Sequence, residues 1–135
     1  MLRQLDDKTL VSGQIRPEDV SELKRHGVTM IVNNRPDEEE PGQPLGGDIE
    51  TAARAAGIDY RFVPIFRGIG PADAQAMQEA IGAAGDGKML AFCRSGTRSA
   101  LAWAVARSDD GAPREELEGC AARAGVDLTP VSHLL

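Results

Sequence analysis

The chain has 135 residues, with 21 acidic against 15 basic side chains, two cysteines and a net charge of −6. That length makes a single domain, residues 1–135, able to bury roughly two-thirds of the surface its unfolded form exposes without disulfide or metal support. The negative balance excludes a general nucleic-acid or anionic-membrane binder, whose affinity rests on a positive field. An anionic substrate must therefore be captured locally.

The elements alternate along the chain. Leu10 to Ile15 reads as a first strand, and Pro17 then opens a helix that has Glu18 and Asp19 in its first turn, Lys24 to His26 in its last and Gly27 as its stop. Val28 to Asn33 is an unbroken β-prone run of the kind found in strands buried on both faces. A polar loop, Asn34 to Pro44, leads to a helix from Asp48 with Ile49, Ala52, Ala53 and Ala56 on one face, and Asp59 to Ile65 is the next strand. Pro71 opens a helix with Ala74, Met77, Ile81 and Ala84 inward, Lys88 to Phe92 is the last strand, and helices follow over Ser99 to Arg107, Pro113 to Ala124 and from Thr129-Pro130.

Strands separated by helices predict an α/β domain with a central, mainly parallel sheet of four to five strands flanked by helices on both faces. Ligands in such sheets bind beyond the carboxyl ends of the strands. Here those ends are Asn33 to Asp37, Pro64 to Gly70 and Cys93 to Arg98.

Cys93-Arg94-Ser95-Gly96-Thr97-Arg98-Ser99 carries the chemistry. A cysteine that ends a buried strand and begins a loop into a helix faces successive backbone N–H groups, a concave anion cradle that lowers a thiol pKa. Gly96 lets the loop curl, Arg98 supplies a fork for two oxygens or a negative sulfur group, Ser99 or Thr97 offers a hydroxyl to the sulfur, and Arg94 adds positive potential at the mouth. Cys120 lies with Leu117, Ala121 and Ala124 on one helical face and reads as packing. No metal or cofactor is called for. No apolar run approaches the ~18 residues of a membrane span, and Met1 to Asp7 lacks the apolar stretch of a secretory signal, so a reducing cytoplasm is the expected setting.

With a cysteine at a strand end, a glycine-containing anion loop, and an arginine and serine closing it, the chain resembles the cysteine-dependent protein tyrosine phosphatases, dual-specificity enzymes included, and the rhodanese sulfurtransferases. More closely, Asn34-Arg35-Pro36-Asp37 with Glu38 and Glu39, Gln43-Pro44, the Cys93 to Arg98 loop and Ala124-Gly125-Val126-Asp127-Leu128 resemble the bacterial beta-lactamase-hydrolase-like, phosphatase-like domain family. The resemblance implies a tyrosine-phosphatase-like fold and a link to metallo-β-lactamase-fold persulfide dioxygenases.

Two departures bear on the reaction. Four residues separate Cys93 from Arg98 where tyrosine phosphatases have five and rhodaneses four, and Pro64 to Gly70 carries no carboxylate where phosphatases place a general acid. The leading expectation is therefore a sulfurtransferase that carries sulfane sulfur as a Cys93 persulfide, with thiosulfate or glutathione persulfide as donor and Arg35 and Arg67 helping to hold it. The alternative is a phosphatase acting on a phosphate ester through a phosphocysteine, with Asp73 as the candidate acid and Asp37 or Glu39 approaching from the other loop. A non-catalytic anion- or phosphopeptide-binding module is the third reading.

Overall fold

The computed structural model describes residues 2–135. Five strands, β1 (Arg3–Gln4), β2 (Thr9–Ser12), β3 (Val28–Asn33), β4 (Asp59–Phe62) and β5 (Lys88–Phe92), form one sheet in the order β1-β2-β5-β3-β4. All neighbours are parallel except β1 and β2. The two-residue β1 is too short to show a periodicity and is recognisable only once it pairs with β2.

Alternation along the two central strands divides the core. Met30, Val32, Met89 and Ala91 face one layer, while Ile31, Leu90 and Phe92 face the other. The second layer is covered by α1 (Val20–Arg25) and α2 (Gly46–Ala55) through Val20, Leu23, Ile49 and Ala53. The first is covered by α3 (Pro71–Ala83), α4 (Thr97–Asp109), α5 (Arg114–Arg123) and a 3-10 turn over Thr129–Leu134. Helix α4 is buried on every side from Ser99 to Ala106, and its alanines allow α3, α5 and the sheet to approach together. Trp103 belongs to this core.

Several boundaries differ from the sequence-based ones for local reasons. The first strand stops at Ser12, because Gly13 passes beneath the Cys93 loop. The helix begun at Pro17 is a 3-10 turn, Pro17–Asp19, before α1, with the Asp19 carboxylate accepting the Arg16 N–H at 2.8 Å. Strand β4 ends at Phe62, since Pro64 has no N–H to continue the ladder. Helix α4 begins at Thr97 rather than Ser99.

Candidate active site

The carboxyl ends of β5, β3 and β4 are laced together beyond the regular sheet. Asn34 N–H donates to the Phe92 carbonyl (2.8 Å), Val63 N–H to that of Asn33 (2.8 Å) and Ile65 N–H to that of Asn34 (2.9 Å). Two buried amides reinforce this: Asn34 Nδ2 donates to the Val63 carbonyl at 2.9 Å, and Asn33 Oδ1 accepts the Arg35 N–H at 2.9 Å. The three loops expected to form a site thus share one scaffold.

Cys93 is 1% exposed at the head of α4, with its Sγ accepting the Gly96 N–H at 3.1 Å. Burial pushes its thiol up, but the backbone N–H groups of Ser99, Ser95 and Gly96 and the Ser99 hydroxyl outweigh it, and the net pKa lies below the ordinary thiol value. Ser99 Oγ is buried and makes no hydrogen bond of good geometry, so it favours the thiolate through proximity. Gly96 has φ +96°, a region that costs other residues about 1–2 kcal/mol. A Cβ on Gly13 would meet the Arg94 carbonyl oxygen at 2.9 Å, so the turn after β2 and the cysteine loop can touch only through glycine.

Arg98 Nη1 donates to Glu39 Oε2 (2.6 Å) and the Ile65 carbonyl (2.8 Å), and Nη2 donates to Glu39 Oε1 (2.8 Å). A guanidinium has five N–H donors, so its Nε–H and one Nη2–H take no carbonyl or carboxylate among the described residues. Those two lie on one edge, the geometry that grips two oxygens side by side. The Arg98 pKa is raised, first by the Glu39 hydrogen bond and, against burial, also by the charge of Cys93. Glu39 is in turn bound by Arg35 Nε at 2.8 Å, and its carboxyl falls to about 2, chiefly through the Arg98 hydrogen bond.

Arg35 is 1% exposed and held through all three of its nitrogens, with Nη1 donating to Gln14 Oε1 (3.1 Å) and Nη2 to Glu40 Oε1 (2.9 Å). Burial works against its charge, and the hydrogen bonds to Glu40 and Glu39 more than restore it. Glu40 also lies 3.4 Å from Arg94, which is otherwise exposed at the mouth. Glu38 stands at φ +64°, an uncommon conformation for a residue other than glycine, at the turn that delivers Glu39 and Glu40 to the arginines.

The other expected site residues have the following partners. Arg35 is buried at 1% exposure and braces Glu39, with three of its five N–H donors bonded inside the protein. Asp37 Oδ1 caps α2 by accepting the Gly46 N–H at 2.8 Å. Asp73 Oδ2 caps α3 by accepting the Gly70 N–H at 2.9 Å. Arg67 is exposed and makes no hydrogen bond among the described residues. Ser95 and Thr97 are exposed and bond to each other through their hydroxyls at 3.2 Å. Cys120 is buried with Leu117 and Ala121, and both cysteines are free. The parts that residue patterns left unassigned are Gln14, Glu40 and the strut role of Glu39, which depend on side chains meeting across loops.

A thiol at a strand end inside a ring of helix-head N–H groups, on a mostly parallel sheet, defines a cysteine-phosphatase-like protein. The same architecture is found in kinase associated phosphatase, with a TM-score of 0.72 at 18% identity over 98% of this chain and 89% of that one, a likeness of fold alone. The chain belongs to the family of the beta-lactamase hydrolase-like protein, phosphatase-like domain, whose pattern matches residues 1–110. The beta-lactamase hydrolase-like protein of Xylella fastidiosa is 41% identical over 126 residues, 92% of this chain but 29% of that protein's length. A Neisseria meningitidis crystal structure, solved as a candidate phosphatase, has a TM-score of 0.82 at 32% identity over 98% of this chain and 94% of that one. These likenesses weigh toward the phosphatase reading over the sulfur-transfer expectation. Among the described residues no helix is long and apolar enough to cross a membrane.

Proposed function

We propose that this domain is a cysteine-dependent phosphatase, and the observation that carries the reading is the depressed Cys93 thiol beside Arg98, whose one edge takes no carbonyl or carboxylate among the described residues. The Cys93 thiolate attacks the phosphorus of a monoester while the N–H groups of Ser95, Gly96 and Ser99 and the Arg98 edge take the equatorial oxygens. The P–S bond forms as the bond to the leaving oxygen breaks. Water then attacks phosphorus, the S–P bond breaks, the thiolate is restored and the proton goes to solvent. Glu39 keeps Arg98 oriented throughout, with Arg35 behind it. The fold, the family and the Neisseria likeness support this reading.

The test is hydrolysis of an aryl phosphate, with vanadate inhibition and the mass of the acid-quenched protein. Turnover that vanadate blocks, one phosphoryl group on the protein and loss of both in Cys93→Ser are expected. No turnover and no adduct overturns the proposal. The four-residue spacing, with the ring drawn to 3.1 Å at Gly96, favours a second reading in which Cys93 carries sulfane sulfur from thiosulfate or glutathione persulfide to a metallo-β-lactamase-fold persulfide dioxygenase. It requires one added sulfur by intact mass after donor exposure, absent in Cys93→Ser.

A further inference from the structure

Phosphoryl transfer from an ordinary alkyl ester needs a proton for the departing oxygen, which a positioned acid supplies for a gain of typically ~10²- to 10⁴-fold. Four carboxylates on the loops around Cys93 are engaged elsewhere, and Glu38 stands exposed at its left-handed turn with no hydrogen bond among the described residues. Asp37 and Asp73 each hold a helix-starting N–H, at 2.8 and 2.9 Å. Glu39 accepts three hydrogen bonds from Arg35 and Arg98, and Glu40 is bound by Arg35 at 2.9 Å and lies 3.4 Å from Arg94. Both glutamates are also held below the ordinary carboxyl pKa, Glu39 at about 2, first by their guanidinium hydrogen bonds, so neither carries a proton to give at neutral pH.

Other donors are committed or distant. Tyr60 faces α2, with its hydroxyl accepting from Asn33 Nδ2 at 3.1 Å. His26 follows α1, just before β3 begins, and so lies at the sheet end opposite the site. His133 belongs to the last 3-10 turn. The segment whose Ile65 carbonyl touches Arg98 presents Phe66, 74% exposed, and the exposed Arg67. A flat apolar surface and a cation suit a group that departs already negative.

We infer that the substrates of this site are phosphoryl compounds whose leaving group departs as a stable anion, aryl and acyl phosphates rather than alkyl esters. The inference rests on the phosphatase reading above. In the first step the P–S bond forms as the P–O bond breaks, and the leaving oxygen keeps the bonding pair and takes no proton. Water completes the cycle as before.

A series of aryl phosphates whose phenols span a range of acidity tests this, with acetyl phosphate and glycerol phosphate as the acyl and alkyl arms. The expected result is a steep series, kcat/KM falling roughly tenfold for every one to two units of leaving-group pKa, with acetyl phosphate turned over and glycerol phosphate at least about 100-fold slower. Asp37→Asn and Asp73→Asn keep the same slope. A flat series in an active enzyme, or a slope that steepens in either variant, overturns the inference while leaving the phosphatase reading intact. Absence of turnover and of phosphocysteine with even the most activated ester overturns both.

Discussion

Replacing Glu39 by Gln removes one negative charge while keeping the side chain's size, and it strikes the centre of the arginine network. The carboxyl moves from 4.5 to about 2 on folding, which at about 1.36 kcal/mol per pH unit limits its contribution to roughly 3 kcal/mol. Its side chain keeps 27% of its surface exposed, and solvent screening brings the figure to about 1–2 kcal/mol. For a domain of this size that is a loss of about 4–8 °C in Tm at pH 7. The folded pKa is depressed, so the stabilisation is fully present above about 4.5 and fades as pH falls toward about 2. The gap between wild type and Glu39→Gln, measured by urea unfolding, should therefore be constant from neutrality to about pH 5 and close below it.

Activity provides the second readout. With the end-on edge of Arg98 no longer gripped, its other edge loses its aim, and kcat/KM for an aryl phosphate should fall about 10- to 100-fold with weaker vanadate binding. A double-mutant cycle with Arg98→Lys should be non-additive. Unchanged Tm and kinetics would refute the strut. Tighter vanadate binding in Glu39→Gln would refute it differently, by showing that the carboxylate occupies the anion's place.

Three further outcomes follow from the site. The depressed Cys93 thiol places the acid limb of kcat/KM, and the matching ultraviolet thiolate signal missing in Cys93→Ser, below the ordinary thiol value of 9.0; a limb at or above it contradicts the cradle. Gly96→Ala, forced to φ +96° with its Cβ 3.3 Å from the Ser12 backbone, should lose about 1–2 kcal/mol by denaturant titration and at least about tenfold in kcat/KM. Cys120→Ala should cost about 1 kcal/mol and leave kcat intact, and a loss of activity comparable to Cys93→Ser would give Cys120 a chemical role.

Most of the architecture was legible because it is written in local patterns. Val28 to Asn33 and Lys88 to Phe92 are apolar on both faces, as central parallel strands must be, and proline and glycine mark the helix ends. A strand that ends in cysteine before a glycine-containing turn into a helix defines an anion cradle, because backbone N–H groups converge there whatever the distant chain does. Chain order alone therefore determined the four parallel strands and the strand-to-helix cysteine loop, but not the edge strand β1. Two proline-linked acids in the same sequence were open to either chemistry or capping, and only the tertiary structure decided for capping, by setting Asp37 on Gly46 N–H and Asp73 on Gly70 N–H. It also decided the partner of Arg98. Arg35 and Glu39 are four residues apart on one loop, but whether the Arg98 guanidinium meets substrate, solvent or a glutamate depends on loops brought side by side by the ends of β5 and β3, and Arg98 and Glu39 lie 59 positions apart, which no local spacing encodes.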